Sequence, residues 1–172
     1  ATRVGVRDYD HRVSDRSHEA RLAVRAKSRE FAQRYRELAA NAELGEADAL
    51  TLEIVAGSEE RWAATSVCEF HLWSVDPHLG NLLNDVNMLV ELHPIHSPAD
   101  AHNLVERLAA VPGLVDSEIA NLKLGLARGY VANAVAVEQM AEMLERAVAT
   151  APRESPLMEP ATVERPDWPE GM

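Results

Sequence analysis

Apolar positions recur along this chain at helical rather than strand spacing, and Gly, Pro, Ser and Asp punctuation divides them into about six blocks. The first runs from His18 to Asn41 behind a cap signal at Ser17, with Glu19 in its first turn. Its apolar members are Leu22, Val24, Ala26, Phe31, Tyr35 and Leu38, and the spacing of the last three predicts one buried stripe. Arg21, Arg25, Arg29 and Arg36 then fall on the solvated side. A second block, from Glu46 to Leu72, offers Leu50, Ile54, Trp62, Thr65 and Phe70 as an inner face, with Gly57-Ser58 as the expected kink. A corner follows at Asp76-Pro77 and Gly80. The third helix spans Leu82 to Leu92, with Val86, Leu89 and Val90 in register, and ends where Pro94 pushes His93 out of the helical region.

The firmest boundaries lie between Glu91 and Gly129. Ser97-Pro98-Ala99-Asp100 supplies a cap, a proline at the first helical position and an acid at the third. The helix it starts reaches Ala110, burying Ala101, Leu104, Val105 and Leu108, and Val111-Pro112-Gly113 is expected to end it. The next helix covers Leu114 to Arg128, with Leu114, Ile119, Leu122 and Leu126 inward. Gly129 predicts a left-handed cap, and Gly125 a close approach by another backbone. The last helix spans Ala132 to Thr150, with Val135, Val137, Met140, Met143, Leu144 and Val148 as its apolar face. Beyond it, five of the nine prolines predict an extended tail over residues 151–172. The pattern therefore predicts an all-α array over residues 1–150 followed by that tail.

Composition agrees with this picture. The 172 residues suffice for one domain with a core, and 47% are apolar. The net charge of −11 argues against nucleic-acid and anionic-membrane partners. Ten of the seventeen Lys and Arg lie before Leu38, so the first helix could face an acidic partner, although a solvated face is the simpler reading. The single cysteine, Cys68, excludes an internal disulfide and fits a reducing compartment. No run of 18 apolar residues spans a membrane and no signal peptide is visible, so a cytoplasmic location is expected.

Candidate chemistry is sparse. Cys68 and His71 would share a helical face, but two ligands make no metal site. His93 and His96 form a second pair, which Pro94 removes from any common helix face. Glu59-Glu60 reads as surface, and Met140 with Met143 as core. Trp73, Asp76 and His78, in the corner, are the best candidates for contact with a substrate, against a plain helix-to-helix corner plugged by Trp73. Phosphate-binding glycine loops, a nucleophile elbow and a His-Glu-x-x-His helix are all absent from the sequence.

Several blocks resemble one bacterial family, that of "domain of unknown function 885". They are Ala1 to Gly5 with Tyr9-Asp10 and Ser14-Asp15, Leu72 to Pro77, His93-Pro94 with Ala99-Asp100-Ala101, and Arg107-Leu108 through Val111-Pro112-Gly113-Leu114 to Ile119-Ala120-Asn121-Leu122, followed by Gly125 to Gly129 and Ser155-Pro156-Leu157. The resemblance covers the N-terminal half of such proteins, which are helical and similar to zinc metallopeptidases. Their metal motif, a His-Glu followed by Pro-Gly-His, lies downstream of the matched region. No catalytic residue, metal ligand or cofactor is therefore carried over to this segment, and zinc is implied only for the complete protein.

Three functions follow as expectations. In the first, the chain is the helical scaffold and substrate-cleft wall of a larger zinc-dependent hydrolase, with the remainder of the protein or a second chain carrying the metal and a peptide-like substrate in the cleft. In the second, it is a stand-alone helical interaction module without catalysis. The third is a small metal-binding protein using His71, His78, His93 and His96.

Overall fold

A computed structural model describes residues 2–40, 43–78 and 81–163, without the side chains of Arg3 and Ser66. Asn41, Gly80 and the tail from residue 164 on, which entered the expectations above, lie outside the described residues. Among those described there is no strand. The helices are α1 (His18–Ala39), α2 (Glu46–Ala64), α3 (Leu82–Glu91), α4 (Pro98–Ala109), α5 (Val111–Ala127), α6 (Ala134–Ala149) and the single turn α7 (Glu159–Thr162). The all-α expectation holds.

Local chemistry sets most of the boundaries. The Ser17 hydroxyl accepts from the Ala20 amide (3.1 Å), and the Asn81 side chain accepts from the Asn84 amide (2.8 Å). Ser97 accepts from the Asp100 amide, while the Asp100 carboxylate reaches back to the His96 amide. Gly129, at φ +83°, closes α5: its amide donates to Leu126 and the Tyr130 amide to Gly125, at 3.0 and 2.9 Å.

Three boundaries differ from expectation. Val111-Pro112-Gly113 does not end α4; it forms the first turn of α5, with Ala110 as the joint. A proline there loses only an amide that would have no helical partner. α2 runs unbroken through Gly57-Ser58 and stops at Ala64, tightening into a 3-10 turn over Thr65–Cys68. Glu69, at φ +38°, then breaks the path, so Cys68 and His71 share no helical face. The start of the tail is not extended either. Pro152, Pro156 and Pro160 each open a short helical turn, and the Pro156–Met158 turn rests on α3.

α1 and α2 form a hairpin whose seam is made of small side chains: Ser28 and Ala32 against Ala56 and Ala63. Leu50, Ile54 and Trp62, expected inward, are 59–60% exposed. On α1, Phe31 and Leu38 are exposed, whereas Arg21 is half-buried against Glu118. Small residues let the two backbones approach closely, and a Leu or Trp in the same seam would force them apart. The larger core lies elsewhere: Leu72, Val86, Val90, Leu104 and Leu114 pack where α3, α4 and α5 meet the Phe70–Leu72 turn. Gly125 fits this junction because a Cβ there would stand 1.8 Å from the Leu72 carbonyl oxygen. α6 buries no residue fully; Ala136, Met140 and Met143 are its half-covered side, and Val135, Leu144 and Val148 are exposed.

Candidate functional site

The corner after Leu72 is pinned by side chains to its own backbone. Trp73 Nε1 donates to the Cys68 carbonyl (3.1 Å), and its ring packs at 5.2 Å against Phe70. The Asp76 carboxylate accepts from the His78 amide at 2.8 Å, which makes an Asx turn. Asn81 donates to the buried Pro77 carbonyl, and Asn84 to that of His78. Asn81 also caps α3 and Asn84 lies in its first turn, so the corner is tied to that helix.

Trp73, Asp76 and His78, the three residues singled out from sequence, line one groove of about 370 Å³. Its other wall is the start of α6, where Asn133, Val135 and Gln139 face them. Asn133 caps α6 by accepting from the Val135 and Ala136 amides (2.9 and 3.3 Å). Sequence reading named one wall and missed the other, although an Asn before an apolar run is a cap signal. The groove offers an aromatic ring, a carboxylate, an imidazole and an amide. That set can hold a polar chain in place, and none of its described contacts pairs a nucleophile with a base.

A second cluster, buried and charged, ties the N-terminal segment to α4. Asp10 is fully buried and receives the Thr2 hydroxyl at 2.5 Å, Arg7 as an ion pair and Arg107 at 3.4 Å. Arg107, only 5% exposed, also donates to the Thr2 oxygen and the Tyr9 carbonyl, both at 3.0 Å. Its other amino group lies 3.2 Å from His93 Nδ1, and His93 Nε2 lies 2.8 Å from the Asp100 carbonyl. A guanidinium can only donate, so Nδ1 accepts and the proton sits on Nε2. Arg7 completes the ring to Asp100 at 2.6 Å. Burial alone would raise the Asp10 carboxyl, but Thr2, Arg7 and Arg107 outweigh it and hold the group below the usual range. Asp100 is likewise held low: burial is opposed by the His96 amide, Ser97 and Arg7.

This cluster settles the histidine pairs. His93 is enclosed among Arg107 and the Asp100 backbone, while His96 stays exposed. His71 leaves Cys68 and stacks on His18, with ring nitrogens 2.8 Å apart. Desolvation, helped by Arg21, His18 and Arg25, pushes His71 down to about 4. Among the described residues no three His, Cys, Asp or Glu side chains gather where a metal could sit. Arg107 itself was read from sequence only as part of a family block. The available signal was its place three residues after Leu104, in the buried register of α4.

The model of a family described as bacterial protein of unknown function (DUF885) matches residues 1–170, nearly the whole chain. No curated protein and no solved structure matches it.

Proposed function

The chain belongs to that bacterial family of unknown function, and from this premise we propose that it is the helical scaffold of a larger, zinc-dependent hydrolase acting on peptide-like substrates. It contributes one wall of the substrate cleft, at Trp73, Asp76 and His78, and no reacting group. Zinc would supply Lewis-acid activation of water in the complete enzyme, held by residues outside this chain. This chain's part is to hold the substrate backbone against the rigid corner.

One observation carries the reading. Large apolar side chains lie exposed along three helices of the described chain. They include Leu22, Val24 and Leu38 on α1, Leu50, Ile54 and Trp62 on α2, and Val135 and Val148 on α6. Surfaces of that kind are covered in the working protein. A stand-alone interaction module would use the same surfaces, so the test must separate the two.

The test is to purify the protein encoded by the whole reading frame and assay peptide hydrolysis with and without a chelator. The proposal expects chelator-sensitive hydrolysis, and a KM raised several-fold by Trp73→Ala or His78→Ala at nearly constant kcat. It also expects residues 1–172 alone to bind an apolar dye that the whole protein excludes. A frame that stops at Met172 and yields an inactive chain would refute it in favour of the interaction module.

A further inference from the structure

The α1–α2 hairpin stands apart from the body of the fold. Its two helices pack closely on each other, and among the described residues no other α-helix packs closely on either. Side chains tie down its foot. Arg16 reaches Asp85 and Glu118, Arg21 reaches Glu118 at 3.6 Å, and His18 meets His71 of the Phe70–Leu72 turn. That turn is held on its other side by Leu72 against Gly125, and by Glu69, which takes Arg128 and Tyr130 from the end of α5. Among these ties, the imidazole pair joins two groups of a kind that titrates near neutrality.

The pair is built to be neutral. Its rings stack 5.1 Å apart and 21° from parallel, with His18 Nδ1 and His71 Nε2 at 2.8 Å, so one nitrogen donates a proton and the other accepts it. The remaining nitrogen of His71, Nδ1, is buried and meets no hydrogen-bond partner. In the neutral pair it is a bare lone pair, while Nε2–H donates to His18. An added proton finds no such arrangement. On His71 it makes an N–H at Nδ1 that has no acceptor. On His18 it turns Nδ1 into a donor, which moves the His71 proton from Nε2 to Nδ1 and leaves the same orphan. The surroundings oppose the charge as well: Arg21 and Arg25 on α1 repel it, and Glu69, which attracts it, is already paired with Arg128.

We propose that the His18–His71 pair is an acid-released latch at the foot of the α1–α2 hairpin: protonation of either ring parts the two, and the hairpin then swings on the Arg16 and Arg21 ion pairs. Water meets both the orphaned N–H and the charge once the rings separate, so the added proton favours the open foot. His71 holds its proton at about 4 when latched and at 6.5 when released, so opening rises as pH falls below 6.5 and levels off near 4. For one proton the rise is about ten-fold per pH unit at most.

The test places a fluorophore pair at Thr51→Cys on α2 and Val105→Cys on α4, both exposed, in the whole chain carrying Cys68→Ser. Energy transfer is followed from about pH 7.5 to about pH 4.5, with far-ultraviolet circular dichroism alongside. His71→Arg carries its charge throughout and should show the open value already at the upper end of that range. His71→Gln cannot titrate, and its amide can donate to His18 or accept from it, so it should hold the closed value at every pH. The parent should pass from the closed value to the open one with a midpoint between 4 and 6.5 and with unchanged helix content. The proposal falls if transfer in the parent does not change, if His71→Gln responds as the parent does, or if helix content is lost in step with the change. Activity plays no part in this readout, so the latch is tested apart from the hydrolase reading.

Discussion

Replacing Gly125 by alanine adds one methyl group at the most crowded of the described glycines. The new Cβ would stand 1.8 Å from the Leu72 carbonyl oxygen, 2.8 Å from its carbon and 3.2 Å from its Cβ. An ordinary carbon–oxygen contact is about 3.3 Å, so α5 and the Phe70–Leu72 turn must part by roughly 1.5 Å. Both obstacles are backbone, and neither can swing aside. Leu72 is 1% exposed, and opening that seam costs about 3–4 kcal/mol in lost packing. Alanine returns about 1 kcal/mol through helix propensity. The net loss is about 2–3 kcal/mol, which for a chain of this size lowers Tm by roughly 4–12 °C. Gly113→Ala is the matched control: a Cβ there meets nothing within 4 Å, so propensity should act alone and add up to about 1 kcal/mol. Urea and thermal melts followed by circular dichroism measure both, and Trp73, next to Leu72, reports the local shift by fluorescence. The packing argument is refuted if Gly125→Ala melts at or above the parent, or if both alanines shift stability in the same direction.

Other substitutions probe the remaining contacts. Arg107→Met leaves Asp10 buried with Arg7 as its remaining cation and should cost about 3–5 kcal/mol in urea melts. Adding Asp10→Asn to it should recover part of that loss, as a positive coupling in the double-mutant cycle. Ser97→Ala removes the α4 cap and should lower stability by about 1 kcal/mol, measured in the same melts. His71, pushed from 6.5 to about 4, binds its proton more weakly folded than unfolded, so its contribution is complete above pH 6.5 and is lost as pH falls towards 4. Half-exposure limits that loss to about 1–2 kcal/mol, and His71→Gln should flatten stability across the same window. Below that window Asp10, Asp100 and Glu69 take over, because their lowered carboxyls lose stability only on protonation.

The sequence by itself determined the helix ends that side-chain and glycine caps write, because caps are short-range chemistry. Ser17, Ser97 with Pro98, and Gly129 each act within four residues of their own position, so pattern and structure agree there. Gly125 was legible for a similar reason: a glycine inside a helix is costly and implies a close neighbour, although only the fold shows that the neighbour is Leu72. Trp73, Asp76 and His78 were legible as one short corner, but their opposite wall on α6 is more than fifty residues away in the chain.

What only the tertiary structure decided is which residues face inward and which charges are buried. Periodicity assumes that large apolar side chains seek the core. The α1–α2 hairpin inverts this, closing on Ser28, Ala32, Ala56 and Ala63 and leaving Leu50, Ile54 and Trp62 outside. The break at Glu69 depends on Arg128 and Tyr130, which reach its carboxylate from the end of α5 at 3.0 and 3.3 Å. Arg107 is satisfied only when Thr2, Tyr9 and Asp10 arrive from about a hundred residues away. Burying a charge is favourable only when its partners are in place, and partners so distant in sequence exist only once the chain has folded.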